Sequence, residues 1–398
     1  MSFQIALSGL NAASTDLQVT SNNIANANTT GFKSSRAEFS DVFSGDATGI
    51  GAGVRLTDVR QEFTQGNVEI TERQLDIAIS GNGFFIVNDG GGLLYSRVGA
   101  FGLNPNGLVE NAEGERLQVY PSDGAGGFNT GTLSDLQITT DTSPPQASTR
   151  VDMNINLPAD AVAPSVAPFD PNDPQTFNHS TSTVVYDSLG VAHTATYYFL
   201  ETGGAWEVNQ TIDGNVVGAA QPFTFAADGS IATPANGVVN YPAFDPGNGA
   251  NPITLNLDLS KTTQYGSNFV VNSLNPDGRA AGRLRNVEID QTGVVFARFS
   301  NGQSIALGKV ALANFSNPEG LTKVSDTSFQ ETFSSGVAQR GEATESNFGL
   351  IQAGALEASN VDLTEQLVNM ITAQRLFQAN AQVISTMDTV TQTIINIR

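Results

Sequence analysis

The residue types that most often do chemistry are sparse in this chain. There is no cysteine, and 398 residues contain only two histidines, His179 and His193. Without thiols a chain forms no disulfide, no thiolate metal site and no cysteine nucleophile. Both histidines fall in or beside Thr-rich stretches that alternate like strands, and no serine near them sits in a nucleophile elbow. They read as strand-face or edge residues. The run FDPNDP, Phe169 to Pro174, offers carboxylates, but its spacing matches no loop of alternating calcium ligands, so a solvated loop is expected. Gly49, Gly51 and Gly53 alternate as in a phosphate loop. They lead into a period-two strand, Val54 to Val59, and not into a helix whose N-terminus would hold an anion. The remaining carboxylates are scattered singly and propose no acid and base pair. The reading is no enzyme, no metal and no cofactor.

Charge narrows the partners. The formal net charge is −21 with 18 Lys and Arg, the opposite of what a nucleic-acid surface needs. No segment reaches the roughly eighteen apolar residues of a membrane span. The N-terminus lacks the basic start and continuous apolar stretch of a secretory signal.

The elements that organise the chain lie at its ends. In Leu356 to Arg398, apolar residues fall at Leu363, Leu367, Met370, Phe377, Ala381, Ile384, Met387, Val390, Ile394 and Ile397, at gaps of three, four or seven. That is one helical stripe. Ser359 stands where an N-cap belongs, Asp362 and Glu365 lie in the first turn, and the helix is expected to reach about 55 to 60 Å. From Val361 on, the charges are Asp362, Glu365, Arg375, Asp388 and Arg398 alone. The other polar positions are Gln, Asn, Thr and Ser, which can be buried against protein more cheaply than ions. The N-terminal segment repeats this logic. Phe3, Leu7, Leu10, Leu17 and Ile24 share a row, and Asp16 is the sole charged side chain before Lys33. Two charge-poor amphipathic helices, paired with each other in coiled-coil fashion and still lacking a charged exterior, point to packing between molecules.

Between the helices the pattern is β. The first helix ends in SNNIANANTTGFK, where Asn22, Asn23, Asn26 and Thr30 compete for backbone hydrogen bonds and Gly31 before Phe32 permits a reversal. Asn82-Gly83 predicts a hairpin, with further turns at Asn106-Gly107, Glu113-Gly114, Thr292-Gly293 and Asn301-Gly302. Two β regions of like character flank a different middle, which holds thirteen of the sixteen prolines, from Pro144 to Pro276, and no Lys or Arg between Arg150 and Lys261. The expected architecture is multidomain α+β, with paired terminal helices and two mainly antiparallel β domains, the outer inserted into the inner. In residues this is a terminal helical domain at 1–27 and 356–398, a linker at 28–70, an inner β domain at 71–145 and 281–355, and an acidic outer β domain at 146–280.

SNNIANANTTGFK, the GNGFF turn at Gly81 to Phe85, YSRVGAFGLNPNGLV at Tyr95 to Val109 and LEASNVDLTEQLVNMITAQRLFQAN at Leu356 to Asn380 together resemble the flagellar axial proteins of bacteria, the family of rod, hook and hook-filament junction components. FSNGQSIALGKVALANFSNPEGL, Phe299 to Leu321, and SGVAQRGEA, Ser335 to Ala343, are similar to its hook members in particular. Asn104 stands where Asp is more usual, and Val119 where Gly is more usual. The resemblance implies a helical tubular homopolymer that joins rod to filament as a universal joint, transmits torque and encloses the export channel. It also implies dealings with a distal rod protein, a hook cap protein, a hook-filament junction protein and the flagellar export apparatus, and export to the cell exterior without a cleaved signal. The rivals are a distal rod protein of the same family and an extracellular acidic β adhesin or binding module.

Overall fold

The computed structural model describes residues 2–43, 51–124, 126–139, 142–345 and 347–396. Gly49 of the glycine run and Ile397 and Arg398 of the last helix lie outside the described residues. The chain forms two compact units. The first comprises Met1–Thr139, Asn286–Arg298 and Ser304–Arg398, and the second comprises Thr140–Arg285 and Phe299–Gln303.

The first unit contains both long helices, α1 (Ser2–Ala25) and α2 (Leu363–Asn396), and a β body. The β body is built from both halves of the chain. Its main sheet runs from Leu284–Ile289 through Val294–Phe299, Ser304–Asn314, Arg116–Pro121, Phe84–Asn88, Leu93–Ser96 and Ser328–Gln330 to Thr322–Lys323. Phe84, Ile86, Tyr95, Tyr120, Phe315 and Phe329 fill one core, with edge-to-face rings such as Tyr95 on Phe315 at 4.8 Å. Two short antiparallel pairs carry the chain from this body toward the helices. Ile77–Ser80 pairs with Leu350–Ala353, and Val68–Ile70 pairs with Ala355–Glu357.

Several expectations need correction here. Asn82-Gly83 does not close a hairpin, because Ile77–Ser80 pairs with Leu350–Ala353 while Phe84–Asn88 enters the main sheet. Gly81 and Gly83, at φ 116° and 126°, bend the strand from one sheet into the other. Ser359 is not the cap of α2. Residues Ala355–Glu357 are held in a strand, and Asp362 accepts the amides of Thr364 and Glu365. The 34-residue helix is therefore about 51 Å long. The 28–70 stretch is more than a linker, since β1 (Ser35–Asp41) and β2 (Val54–Gln61) pair antiparallel as a ribbon. The Asn301-Gly302 turn belongs with the second unit, where Asn301 Nδ2 donates to the Ala280 carbonyl. Asn106-Gly107 does close a hairpin, with Gly107 at φ 76° and Asn104 Oδ1 accepting the amides of Asn106 and Leu108.

The second unit is a β sandwich of a five-stranded and a six-stranded sheet around one core. Val151, Met153, Ile155 and Leu157 alternate inward along Arg150–Pro158 to meet Tyr197, Phe199, Trp206 and Val208. His179 stacks on Phe269 at 4.5 Å, and burial pushes its pKa down. His193 is nearly buried between Asp213, 2.6 Å from Nδ1, and Asp187, 3.4 Å from Nε2. In FDPNDP, Asp173 caps the short 3-10 turn Pro174–Thr176. Among the described residues no cluster of His, Asp or Glu has the arrangement of a metal site, and no helix is long and apolar enough to cross a membrane.

Candidate assembly surface

The two helices pack antiparallel. A Cβ built on Gly9 would meet the Asn380 side chain at 2.8 Å, and Asn23 Nδ2 donates to Gln366 Oε1 at 3.1 Å. In both pairs the residue numbers total 389, which sets the register. The seam of α1 is made of small or polar residues seven apart, with Ala6, Ala13 and Thr20 buried. That register sets them one residue out of level with Ile384, Phe377 and Met370 of the covered stripe. Small side chains on one helix face large ones on the other, as a close-packed heptad seam requires. Gln366, Met370, Ala373, Phe377, Asn380, Ala381, Ile384 and Met387 form the covered stripe of α2.

The apolar row read from α1 is thus not its buried face. Phe3 and Leu7 are exposed, and Leu10, Leu17 and Ile24 are half-buried at the margin of the seam. On α2, Met370, Phe377, Ala381, Ile384 and Met387 are covered, whereas Leu363, Leu367, Val390 and Ile394 are exposed. Further exposed apolar residues are Val368, Ile371, Leu376, Val383 and Ile395. Leu376, Val383 and Val390 recur every seventh residue beside the seam, forming a second apolar row with nothing over it among the described residues. Beyond Met387, α2 outruns the start of α1, and residues 388–395 are exposed throughout.

The polar surface of α2 is quieter than its composition suggests. The hydroxyls of Thr372, Thr386, Thr389, Thr391 and Thr393 each donate to the carbonyl four residues back. These hydroxyls are satisfied within the helix, so covering them with protein leaves no donor stranded.

The ribbon lies along another side of α1. The Asn23 side chain donates from Nδ2 to the Ser35 carbonyl and accepts the Ser35 amide on Oδ1, and Ser8 Oγ accepts the Val54 amide. At the base, three ionic side chains are buried together. Lys33 Nζ lies 2.6 Å from Glu357 Oε1, and Arg97 Nη1 lies 3.3 Å from Glu357 Oε2, with exposures of 0, 4 and 0% for Lys33, Arg97 and Glu357. Burial lowers the pKa of both cations, and the shared carboxylate opposes that shift. The same residue takes the Gly31 amide on its carbonyl at 2.7 Å and the Gly66 amide on Oε1 at 2.9 Å. Gly31, at φ 67°, fits under Val98, and Phe32 is buried beside it. Asn360 completes the junction by accepting the Ser34 amide and donating to the Glu62 carbonyl. Of the remaining turn residues, Asn22 is exposed, and Asn26 and Thr30 are half-buried.

A chain whose two ends meet in one helical hairpin, tied to a β body by residues from both ends, has counterparts among known proteins. The flagellar hook protein FlgE of Escherichia coli is 40% identical over all of both chains, and that of Salmonella typhimurium is likewise 40% identical over all of both. This chain belongs to the flagellar hook protein FlgE family. The FlgE of Borreliella burgdorferi is 34% identical over 98% of each chain. Four families match along the sequence: flagella basal body rod protein at 3–33, flagellar hook protein FlgE/F/G D1 domain at 78–168, flagellar basal body protein FlaE D2 domain at 156–279, and flagellar basal body rod FlgEFG protein C-terminal at 352–397. In fold, the chain is similar to the crystal structure of Helicobacter pylori flagellar hook protein FlgE2, with a TM-score of 0.54 and 15% identity over 73% of this chain and all of that one.

Sequence reasoning missed the Lys33, Arg97, Glu357 and Asn360 junction that ties the hairpin of this FlgE-family chain to its body. One signal was available. Lys33 is the first cation of the chain and comes directly after the motif that ends α1. It also missed that Ala6, Ala13 and Thr20 form the seam, because a search for large apolar residues passes over small ones.

Proposed function

We infer that this chain is the structural subunit of the bacterial flagellar hook, self-assembling into a flexible curved tube that passes torque from rod to filament and encloses an export channel. The reading rests on membership of the hook protein family over the whole chain. It is supported by the helical hairpin, whose uncovered apolar row and satisfied threonines suit contact with further copies. The polymer contacts reside in Phe3, Leu7, Leu367, Leu376, Val383, Val390 and Ile394, outside the covered part of the seam, and the seam residues shape the hairpin that presents them. The tube meets a distal rod protein at one end and a cap or junction protein at the other. Its subunits leave the cell through the flagellar export apparatus and assemble outside.

Electron microscopy of the concentrated full chain in polymerising salt tests this reading. Curved tubes are expected from the native chain and none from Phe377→Asp, because a carboxylate forced into the seam without a partner costs several kcal/mol. Soluble particles from the native chain, even with hook fragments added as seeds, would sink the reading.

A further inference from the structure

The terminal helices carry very few charges, and two of them stand out. Arg375 is the single cation among the described residues of α1 and α2. It is exposed on α2, nine residues before Ile384 of the covered stripe and two after buried Ala373, and no described carboxylate pairs with it. On the heptad that the covered stripe defines, Gln366, Ala373 and Asn380 occupy one seam position and Met370, Phe377 and Ile384 the other. Arg375 then falls on the face directed away from α1.

Asp16 is the opposite case. It is the one charged residue of α1, and the register brings it level with Ala373, at the same seam position as Gly9 and Asn23. It is half-covered and has neither a hydrogen-bond donor nor a cation against it among the described residues. Burial raises its pKa, with no opposing charge to bring it back. The ribbon's arginines do not serve it. Arg36 and Arg60 are engaged with carboxylates, and Arg55 donates to Ser40 Oγ. Glu365 and Asp388, the other helical acids, are exposed to water and lack that desolvation cost.

A helix pair that has shed nearly every charge keeps an unpaired, partly desolvated carboxylate at the partly exposed edge of its seam and an unpaired guanidinium on the face of α2 directed away from that seam. The two face different ways and cannot meet within one subunit. We propose that Arg375 of one subunit pairs with Asp16 of a second copy, an ion pair that selects the register of neighbouring helical hairpins in the polymer. The occupant of the Arg375 face is therefore another copy of this chain, chosen by charge complementarity. In charge-poor surroundings such a pair discriminates strongly, since any other register leaves both ions covered and unpaired. The inference rests on the polymer reading above and adds to it which surfaces meet.

Complementation between two full-length variants tests it. Asp16→Arg places two cations at the contact, and Arg375→Asp places two carboxylates there. Each alone is expected to raise the critical concentration for tube growth about tenfold or more, the low end for close interfacial charges. Mixed in equal amounts, the two can alternate along the contact, Arg375 of the first variant meeting Asp16 of the second and the two new residues meeting each other, so tubes should return. The doubly substituted chain should also assemble. A pair formed inside one subunit would be rescued by the double substitution and not by mixing, so failure of the mixture overturns the proposal. So does normal assembly by either single variant. Native chain that forms no tubes would overturn the polymer reading itself, and the pairing with it.

Discussion

Gly9 of α1 lies against Asn380 of α2 so closely that a methyl group on Gly9 would stand 2.8 Å from Asn380 Nδ2 and 2.9 Å from Oδ1. This glycine sets the separation of the two helices, and its place on the seam, three residues after Ala6 and four before Ala13, keeps the whole contact narrow. Gly9→Leu cannot be absorbed by moving the short Asn380 side chain alone, so the helices must part. The expected result is a helical hairpin with lower hydrogen-exchange protection in α1 and no tube formation, while the second unit, with its separate core, unfolds at the same urea concentration. Unchanged protection of α1 would show that the seam has slack that the structure does not display.

The Lys33, Arg97 and Glu357 cluster makes a prediction of a different kind. Glu357→Gln keeps the shape and removes the charge, leaving two buried cations facing an amide. Breaking a buried pair in this way costs about 3–5 kcal/mol. Exchange at the Gly31 and Gly66 amides, both bonded to Glu357, should accelerate, and the first unit should melt earlier. If neither moves, the cluster contributes nothing beyond packing.

His193 ties the stability of the second unit to pH. Burial opposes the imidazolium, but hydrogen bonds to Asp213 and Asp187, and their charges, outweigh it, so the pKa lies above the ordinary histidine value. That contribution is complete below about pH 6.5 and is lost as the pH climbs through the raised value. Asp187 runs the other way. Burial works against its ionised form, yet hydrogen bonds from Asn248, Val191, His193 and Leu189 hold its pKa down to about 2. Its contribution is present above the ordinary carboxylate value and is lost as the pH falls toward about 2. Trp206, the sole tryptophan, is buried in this unit and reports its unfolding by fluorescence. The urea midpoint of the full chain should fall between about pH 6 and pH 9, and His193→Gln should flatten that slope. Parallel curves for the two chains would remove His193 from the account.

How much could be read from the residues depends on how local each signal is. The long helices were visible because three-and-four spacing repeats over many turns, and Asn106-Gly107 was visible because a two-residue turn carries its own geometry. The Asn82-Gly83 bend was misread because the same residues serve a hairpin and a change of sheet. Only the distant partner Leu350–Ala353 tells them apart. The start of α2 was placed too early for a like reason, since Ala355–Glu357 is claimed by strand Val68–Ile70 far away in sequence. Which face of α1 is buried depended on α2 supplying the large side chains, and α1 alone could not disclose it.

The junction at Glu357 also fixes an order of events. Lys33 and Glu357 are 324 residues apart, and the Val68–Ile70 pairing, the Asn360 contacts and the α1 seam all wait on chain from the same late stretch. A chain delivered from either end has most of its length free before this knot can close. Closing so wide a loop is slow. Without α2, α1 has no partner for its small-residue seam, and a helix of charge-poor sequence without tertiary support is marginal in water. The subunit therefore carries its own timer: the hairpin and the junction at its base close only when segments from both halves of the chain have met.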